Sequence, residues 1–153
     1  MTRFLVVSDS FKGSLSSALA GRAIAEGIRM AAENAAVHVF PAADGGEGTA
    51  EALDAALGGK SHHYTVSDPF GFPVRAPYSD LGLRDGLRTA VFDMASCAGL
   101  GLARLHGTDP LVASTYGVGE MLIALCRAGF RRIYVGLGGS GTNDGGAGAL
   151  SAM

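Results

Sequence analysis

Two glycine-rich segments of the sequence carry side chains that could do chemistry. The first, Asp44-Gly-Gly-Glu-Gly48, holds two carboxylates three positions apart on a flexible backbone. A pair of acids in such a turn can hold a metal ion or activate a hydroxyl group. The ordinary alternative is a surface turn, because glycine-rich turns are common at surfaces.

The second segment, residues 138–148, is denser in glycine and carries small polar side chains at Ser140, Thr142, Asn143 and Asp144. Glycine allows positive φ and lets backbone N–H groups come close to a ligand. Hydroxyl and amide groups can bind phosphate oxygens, and a carboxylate can hold a hydrated Mg²⁺. The segment therefore predicts an anion-binding loop.

A third segment follows the first apolar run and contains Asp9 and Lys12. It precedes a helical pattern, and helix N-termini attract anions through their free N–H groups and the helix dipole. A lysine there adds a mobile charge suited to phosphate or carboxylate. A solvated loop with a helix cap explains the same residues without a function.

Strands and helices that alternate along the chain would position these loops. Residues 4–7, 37–40 and 133–137 are predicted strands. Two helices are expected, one capped by Ser14 or Ser16 with Leu19 on its apolar face, the other at residues 49–57. This order predicts a Rossmann-like, three-layer α/β fold with a parallel sheet. If the strands share one sheet, the three loops lie at one sheet edge.

The middle of the chain predicts antiparallel pairing instead. Strands are expected at residues 62–66, 73–81 and 88–94, with turns at 68–71 and 85–86. A short helix is expected within residues 95–106. A later helix, with Val118, Met121 and Leu125 inward, runs to about Arg127. Its early glycines, Gly117 and Gly119, indicate close packing or an approaching ligand.

Two other readings of the last glycine loop are disfavoured. Residues 136–141 match GxGxxG, but a dinucleotide-dependent reductase needs an acidic residue about 20 positions further on, and the sequence ends first. A P-loop needs a lysine where Thr142 stands.

Composition limits the class of protein. The 153 residues are 48% hydrophobic and 17% charged, as expected for a globular domain. The 12 basic and 14 acidic residues give a net charge of −2 without a basic stripe, which argues against nucleic-acid and membrane partners.

Cys97 and Cys126 lack metal-ligand spacing and are expected to be reduced thiols. We expect a cytoplasmic protein, since neither a signal peptide nor a membrane-spanning run is visible.

Four motifs in a fixed order resemble one family. Asp9-Ser-Phe-Lys-Gly-Ser14, Ala43-Asp-Gly-Gly-Glu-Gly-Thr49, Thr115-Tyr-Gly-Val-Gly-Glu120 and residues 138–148 closely resemble those of bacterial type-I glycerate kinases. The resemblance implies ATP- and Mg²⁺-dependent phosphorylation of D-glycerate, with 2-phosphoglycerate the favoured product. It also implies two α/β domains with the active site in the cleft between them.

The resemblance also suggests residue roles. The implied catalytic residues are Asp9, Lys12 and Asp44, with Lys12 neutralising phosphate or the glycerate carboxylate. Asp44 or Asp9 would be the base. The implied substrate- or phosphate-binding residues are Ser10, Ser14, Gly45, Gly46, Gly138, Gly139, Ser140, Thr142 and Asn143. The implied metal ligands are Glu47 and Asp144.

The sequence departs from the family in length. Family members are more than twice as long, and later motifs of theirs have no counterpart here, so we expect an N-terminal portion of such a kinase. Residues 1–60 would start the Rossmann-like domain, and residues 61–153 would be part of the second domain with its hairpins.

The family usually has Glu at the position of Asp93 and Ala at the position of Gly141. We expect an uncovered apolar face and formation of a homo-oligomer. An inactive portion with only weak phosphate or carboxylate binding is the alternative.

Overall fold

A computed structural model describes residues 2–11, 14–106 and 109–153. Its strands are β1 (Arg3–Ser8), β2 (Ala36–Pro41), β3 (Lys60–Ser67), β4 (Pro73–Arg84), β5 (Leu87–Asp93) and β6 (Arg132–Gly136). Its helices are α1 (Ser17–Ala31), α2 (Thr49–Leu57), α3 (Ala95–Ala98), α4 (Leu100–His106), α5 (Tyr116–Arg127) and α6 (Ala147–Ala152). The mixed α/β class predicted from the sequence is confirmed. None of these helices has the length and apolar character needed to cross a membrane.

The first unit is a β1–α1–β2 crossover. β1 and β2 are parallel, with Val6 paired with Val39. Ser16 caps α1 by accepting a hydrogen bond from the Leu19 N–H, as predicted for one of two serines. Gly21 lies against the Val39 side chain, so the helix approaches the sheet through a position without a side chain.

The predicted apolar face of α1 does not face the sheet. Leu19, on the predicted face, is 51% exposed, and Ile24 of the same helix is 44% exposed, whereas Ala20 and Ala25 are buried. Close packing of this helix on the strands needs small residues, and the larger side chains are therefore turned outward. The spacing of apolar residues in the sequence correctly predicted a helix here, but it did not predict which face of the helix is buried.

The second sheet contains four strands in the order β3-β4-β5-β6. The first three strands pair antiparallel, and β6 runs parallel to β5. The β4–β5 hairpin turns through Asp85 and Gly86, both at positive φ (51° and 77°), as predicted for this dipeptide. The condition that the N-terminal strands and β6 share one sheet is not met, because β1 and β2 form a sheet of their own.

The main core lies on one face of the four-stranded sheet. Phe92 of β5 packs there with Met121 and Leu125 of α5 and with Phe130, and each of these residues is at most 1% exposed. Val91, the residue before Phe92, lies on the opposite face of the sheet and packs against α2 with Ala50, Leu53 and Leu81. β5 is therefore covered on both faces, as alternate residues of a central strand should be.

The two glycines at the start of α5 are explained by packing. A Cβ on Gly117 would collide with the carbonyl oxygen of Ser67, and a Cβ on Gly119 would collide with that of Ala149. The helix therefore touches the end of β3 and the backbone of α6 directly. Of the two explanations for these glycines, the structure supports close packing.

Candidate functional site

The loop after β2 and the loop after β6 meet backbone to backbone. The Gly138 N–H donates to the Gly45 carbonyl at 2.7 Å. A Cβ on Gly138 would lie 2.7 Å from the Gly46 Cα, and a Cβ on Gly136 would lie 2.6 Å from the Gly45 oxygen. The two backbone segments touch without room for a side chain. Glycine is therefore required on the β6 side of this contact.

The segment after β5 joins the same place. The Gly141 N–H donates to the Ala98 carbonyl at 2.8 Å, and the Leu100 N–H donates to the Gly139 carbonyl at 3.0 Å. A Cβ on Gly141 would lie 2.8 Å from the Gly99 oxygen. Three segments that follow strands therefore converge, although their strands belong to two sheets.

The end of β1 is tied to the start of the loop at 42–48. The Ser17 hydroxyl donates to the Ser8 carbonyl at 2.6 Å and accepts from the Ala42 N–H at 2.9 Å. The Ala42 N–H also donates to the Ser8 carbonyl at 3.1 Å. The segment with Asp9 thus begins beside the segment with Asp44 and Glu47. Its lysine, Lys12, lies outside the described residues.

The two acids predicted as the base are both open to solvent. The Asp9 carboxylate accepts from the Ser10 N–H at 2.6 Å, and the Asp44 carboxylate accepts from the Gly46 N–H at 3.0 Å. Each carboxylate therefore orders its own turn and retains an oxygen for another partner. Glu47 is exposed and makes no side-chain hydrogen bond within the described residues.

The predicted metal ligand Asp144 is already occupied by hydrogen bonds. Its carboxylate accepts from the N–H and hydroxyl of Thr115 at 2.7 and 2.9 Å, and from the N–H groups of Gly146 and Gly148 at 3.0 and 3.1 Å. Burial alone would raise the pKa of Asp144, but these donors hold it below the ordinary carboxyl value. The carboxylate thus joins the starts of α5 and α6. Its role as a metal ligand stays a prediction.

The predicted phosphate-binding side chains lie at or near the surface. Ser140 Oγ lies 3.0 Å from the Thr142 hydroxyl and accepts from the Thr142 N–H at 3.2 Å, while Asn143 is exposed. On the β1 side, Ser10 is half-buried, and the Ser14 hydroxyl donates to the Phe11 carbonyl at 3.1 Å. The polar groups of the last loop remain accessible to a ligand. Their assignment stays a prediction.

Sequence reasoning gave no role to Asp93, although it is the buried carboxylate nearest to the meeting loops. It is 8% exposed and accepts hydrogen bonds from the N–H groups of Gly48 and Ala50, both at 2.9 Å. Burial raises the pKa of Asp93, and the N–H donors oppose that shift. A signal was present in the sequence, because this acid directly follows the apolar run from Ala90 to Phe92.

Thr115 and Glu120, at the two ends of a recognised motif, hold neighbouring segments together. Thr115 binds Asp144, and its hydroxyl also accepts from the Ala149 N–H at 3.0 Å. Glu120 accepts from the Ser67 N–H at 2.6 Å. The motif at 115–120 is thus a packing motif in this structure, with its polar ends fixing β3 and α6 against α5.

The larger of two cavities lies away from the loops. Within the described residues no three His, Cys, Asp or Glu side chains are grouped to hold a metal. A cavity of about 630 Å³ lies instead between α2 and strands β4 to β6, lined by Leu53, Leu81, Leu83 and Tyr134 among others. A smaller one of about 240 Å³ borders Gly141. We regard the loops as the candidate site because phosphate is bound by backbone N–H and small polar groups, which the loops bring together. The larger cavity also has polar residues in its lining, but Arg132 pairs there with Asp85, and Arg84 donates to the Leu57 carbonyl.

Comparison with known proteins agrees with the motifs. The model of the Glycerate kinase family matches residues 4–153. The chain is 42% identical to a glycerate kinase of Bacillus subtilis (strain 168) and 40% identical to a glycerate 2-kinase of Escherichia coli (strain K12), covering 99% of this chain and 39% of each relative.

A solved structure has the same fold. A crystal structure from Salmonella typhimurium LT2, provisionally named glycerate kinase 2, superposes with a TM-score of 0.75 at 38% identity and covers 99% of this chain. The chain spans about two fifths of the relatives that it matches, at 39–40% of their length. With a family match over almost every residue, this chain belongs to the glycerate kinase family.

Proposed function

We propose that this chain forms part of the active site of a kinase that transfers the γ-phosphoryl group of ATP to D-glycerate with Mg²⁺, giving 2-phosphoglycerate. The observation that carries the proposal is the meeting of the loop at 42–48 with the loop at 137–141, through the Gly138 N–H and the Gly45 carbonyl at 2.7 Å. It brings a loop with exposed acids beside a loop rich in N–H and hydroxyl groups. Phosphoryl transfer requires that combination of positioning and charge neutralisation.

The roles divide between the two loops. Asp44, or Asp9 in the segment that follows β1, accepts the proton of the glycerate hydroxyl. Ser140, Thr142 and the N–H groups of the last loop bind phosphate oxygens. Lys12, which lies outside the described residues, would add a positive charge for phosphate or for the glycerate carboxylate.

The donor set fits a weakly held magnesium ion. Mg²⁺ is often bound by one or two carboxylates together with substrate phosphates, rather than by a complete protein cage. Glu47 is exposed and makes no side-chain hydrogen bond among the described residues, so it is the better-placed ligand. The carboxylate of Asp144 already accepts from five hydrogen-bond donors, including the Ser114 hydroxyl at 3.4 Å, so it is the less favoured one. When bound, the ion would neutralise charge on the phosphate oxygens.

A second candidate function is weak binding of phosphate or carboxylate without turnover. The observation that favours it is the openness of the site. Asp9, Asp44 and Asn143 are all exposed, so the described residues do not exclude water from the loops. Exclusion of water strengthens the electrostatic interactions on which phosphoryl transfer depends.

A coupled assay of ADP release separates the two functions. The purified 153-residue chain is mixed with ATP, Mg²⁺ and D-glycerate, and the phosphate position in the product is read by ³¹P NMR. Release of ADP that depends on glycerate supports the kinase. Saturable binding of glycerate or ATP in calorimetry, with ADP release at the background rate, supports the binding function instead.

Matched substitutions identify the base. Asp44→Asn and Asp9→Asn are compared with Asp85→Asn, an exposed aspartate in the β4–β5 turn. Loss of the base should lower turnover by about 10²–10⁴-fold. Asp85→Asn should leave turnover unchanged. The same changes at the aligned positions of the Bacillus subtilis relative test the roles in a longer chain. Near-normal turnover of both Asp44→Asn and Asp9→Asn would remove these acids as the base.

A further inference from the structure

Asp93 is a single negative charge at the end of a buried strand. The three preceding residues of β5, Ala90 to Phe92, are completely buried, and Asp93 is 8% exposed. Within the described residues no cation pairs with it. A buried charge is costly unless hydrogen bonds compensate it, so its partners must explain why an acid stands here.

The partners of Asp93 are the first N–H groups of α2. One carboxylate oxygen accepts from Gly48 at 2.9 Å, and the other accepts from Ala50 at 2.9 Å. The first N–H groups of a helix have no acceptor inside the helix. The residue at the N-cap position, Gly48, has no side chain to supply one and lies at φ 90°. Asp93 therefore caps α2 from a neighbouring strand.

The cap also fixes the loop that enters α2. Gly48 ends the segment that contains Asp44 and Glu47. The Gly45 carbonyl of that segment is held by Gly138 at 2.7 Å, and the residue after Asp93 donates from its N–H to the Gly136 carbonyl at 2.8 Å. The loop at 44–48 is thus held at one end by the Asp93 side chain and at the other end by the loop after β6. The backbone at the end of β5 in turn binds the end of β6.

We propose that Asp93 is a positioning residue: its carboxylate fixes the loop at 44–48 against the glycine loop at 137–141 without touching a substrate. The part of this proposal that concerns catalysis rests on the proposed kinase function. The part that concerns the loop does not. The two parts are therefore tested by different measurements.

The loop is tested by amide hydrogen exchange in the 153-residue chain. Asp93→Asn keeps the shape of the side chain but replaces one acceptor oxygen with a donor, so one of the two N–H groups loses its partner. Exchange in residues 44–50 should rise by about tenfold or more, while exchange in α5 stays unchanged. Asp93→Glu keeps the carboxylate, and protection should stay within about threefold of the parent.

Asp68→Asn is the matched control. Asp68 is also a buried carboxylate, 2% exposed, and it accepts from the N–H groups of Phe70 and Phe72 at 2.8 and 2.9 Å. Its substitution should raise exchange at residues 68–72 and leave residues 44–50 protected. The proposal is overturned if Asp93→Asn leaves exchange at 44–50 unchanged, or raises it equally throughout the chain.

Turnover tests the catalytic part. Because a small displacement of a catalytic group can cost about 10²-fold in rate, Asp93→Asn should lower kcat by about 10–10²-fold with a smaller change in the KM for ATP, and Asp93→Glu should restore kcat. An unchanged kcat in Asp93→Asn overturns the catalytic part. A parent chain without glycerate-dependent ADP release contradicts the proposed function, while the exchange measurement still decides whether Asp93 holds the loop.

Discussion

The β1–α1–β2 unit and the four-stranded sheet differ in how completely they bury apolar residues. In the four-stranded sheet, helices cover both faces of β5, and Val91 and Phe92 on opposite faces are fully buried. In the two-stranded sheet, α1 covers one face. On the other face Leu5, Val7 and Phe40 are 66%, 59% and 51% exposed.

The difference shows that a local pattern can be satisfied without a complete core. The β1–α1–β2 crossover forms its parallel pair and its helix cap, which depend on neighbouring residues. Its uncovered face is an apolar patch, and patches of this kind mark contact sites or promote self-association. The four-stranded sheet holds the main core, and it should account for most of the stability of this chain.

The largest expected effect is the loss of a core aromatic residue. Phe92→Ala should destabilise the chain by about 3–5 kcal/mol, because it removes a buried side chain and leaves a cavity. Leu5→Ala, in the two-stranded sheet, should change stability by less than about 0.5 kcal/mol. Urea denaturation followed by circular dichroism measures both. A loss in Leu5→Ala as large as that in Phe92→Ala would contradict the difference between the regions.

Next in size is a pair of helical glycines. Gly117→Ala in α5 should cost about 3 kcal/mol, because the added methyl meets the Ser67 carbonyl and the backbone must shift. Gly27→Ala in α1 faces open space and should stabilise the chain by up to about 1 kcal/mol through helix propensity. Thermal melting of the two variants compares them. Equal melting temperatures would show that the α5–β3 contact is looser than the structure has it.

A third effect concerns the uncovered face, through which we expect copies of the chain to associate. Val7→Lys should weaken self-association by about tenfold or more in Kd, since burial of one such side chain contributes about 1.5–3 kcal/mol. Met30→Lys is the control, because Met30 is 86% exposed at the end of α1 and away from this face. Sedimentation equilibrium measures the association. If Met30→Lys weakens it as much as Val7→Lys, the uncovered face is not the contact surface.

The smallest expected effect depends on pH. Asp144→Asn should cost about 1–2 kcal/mol near neutral pH, because hydrogen bonds to a charged acceptor are replaced by weaker ones. The folded-state pKa of Asp144 lies below the ordinary value of 3.8, so its stabilisation is present above that value and is lost as the pH falls through the folded pKa. The parent and the variant should therefore approach equal stability at low pH.

Ser17→Ala is the control without a titrating group. Ser17 ties the ends of β1 and β2 as Asp144 ties α5 and α6, and its loss should cost about 1 kcal/mol. The stability difference between the parent and Ser17→Ala should stay constant with pH. Acid denaturation followed from pH 7 to about pH 2 compares the two variants. A pH-independent difference for Asp144→Asn would show that its carboxylate is not held in the charged form.

The sequence determined the local elements because they depend on neighbouring residues. The bounds of α2, the Asp85-Gly86 turn and the end of α5 near Arg127 agree with the structure. Four motifs in order also identified the family. These features are encoded within a few positions along the chain, where capping, turn geometry and periodicity act.

Tertiary structure decided how those elements meet. The separation into two sheets, the small-residue face of α1 and the roles of Asp93 and Asp144 all depend on contacts between distant residues. Asp93 is 43 positions from Ala50, whose N–H it accepts, and Asp144 is 29 positions from Thr115. A carboxylate on a flexible loop has the same local pattern whether it binds a metal or caps a helix. Only the donors that surround it in the fold decide what it holds.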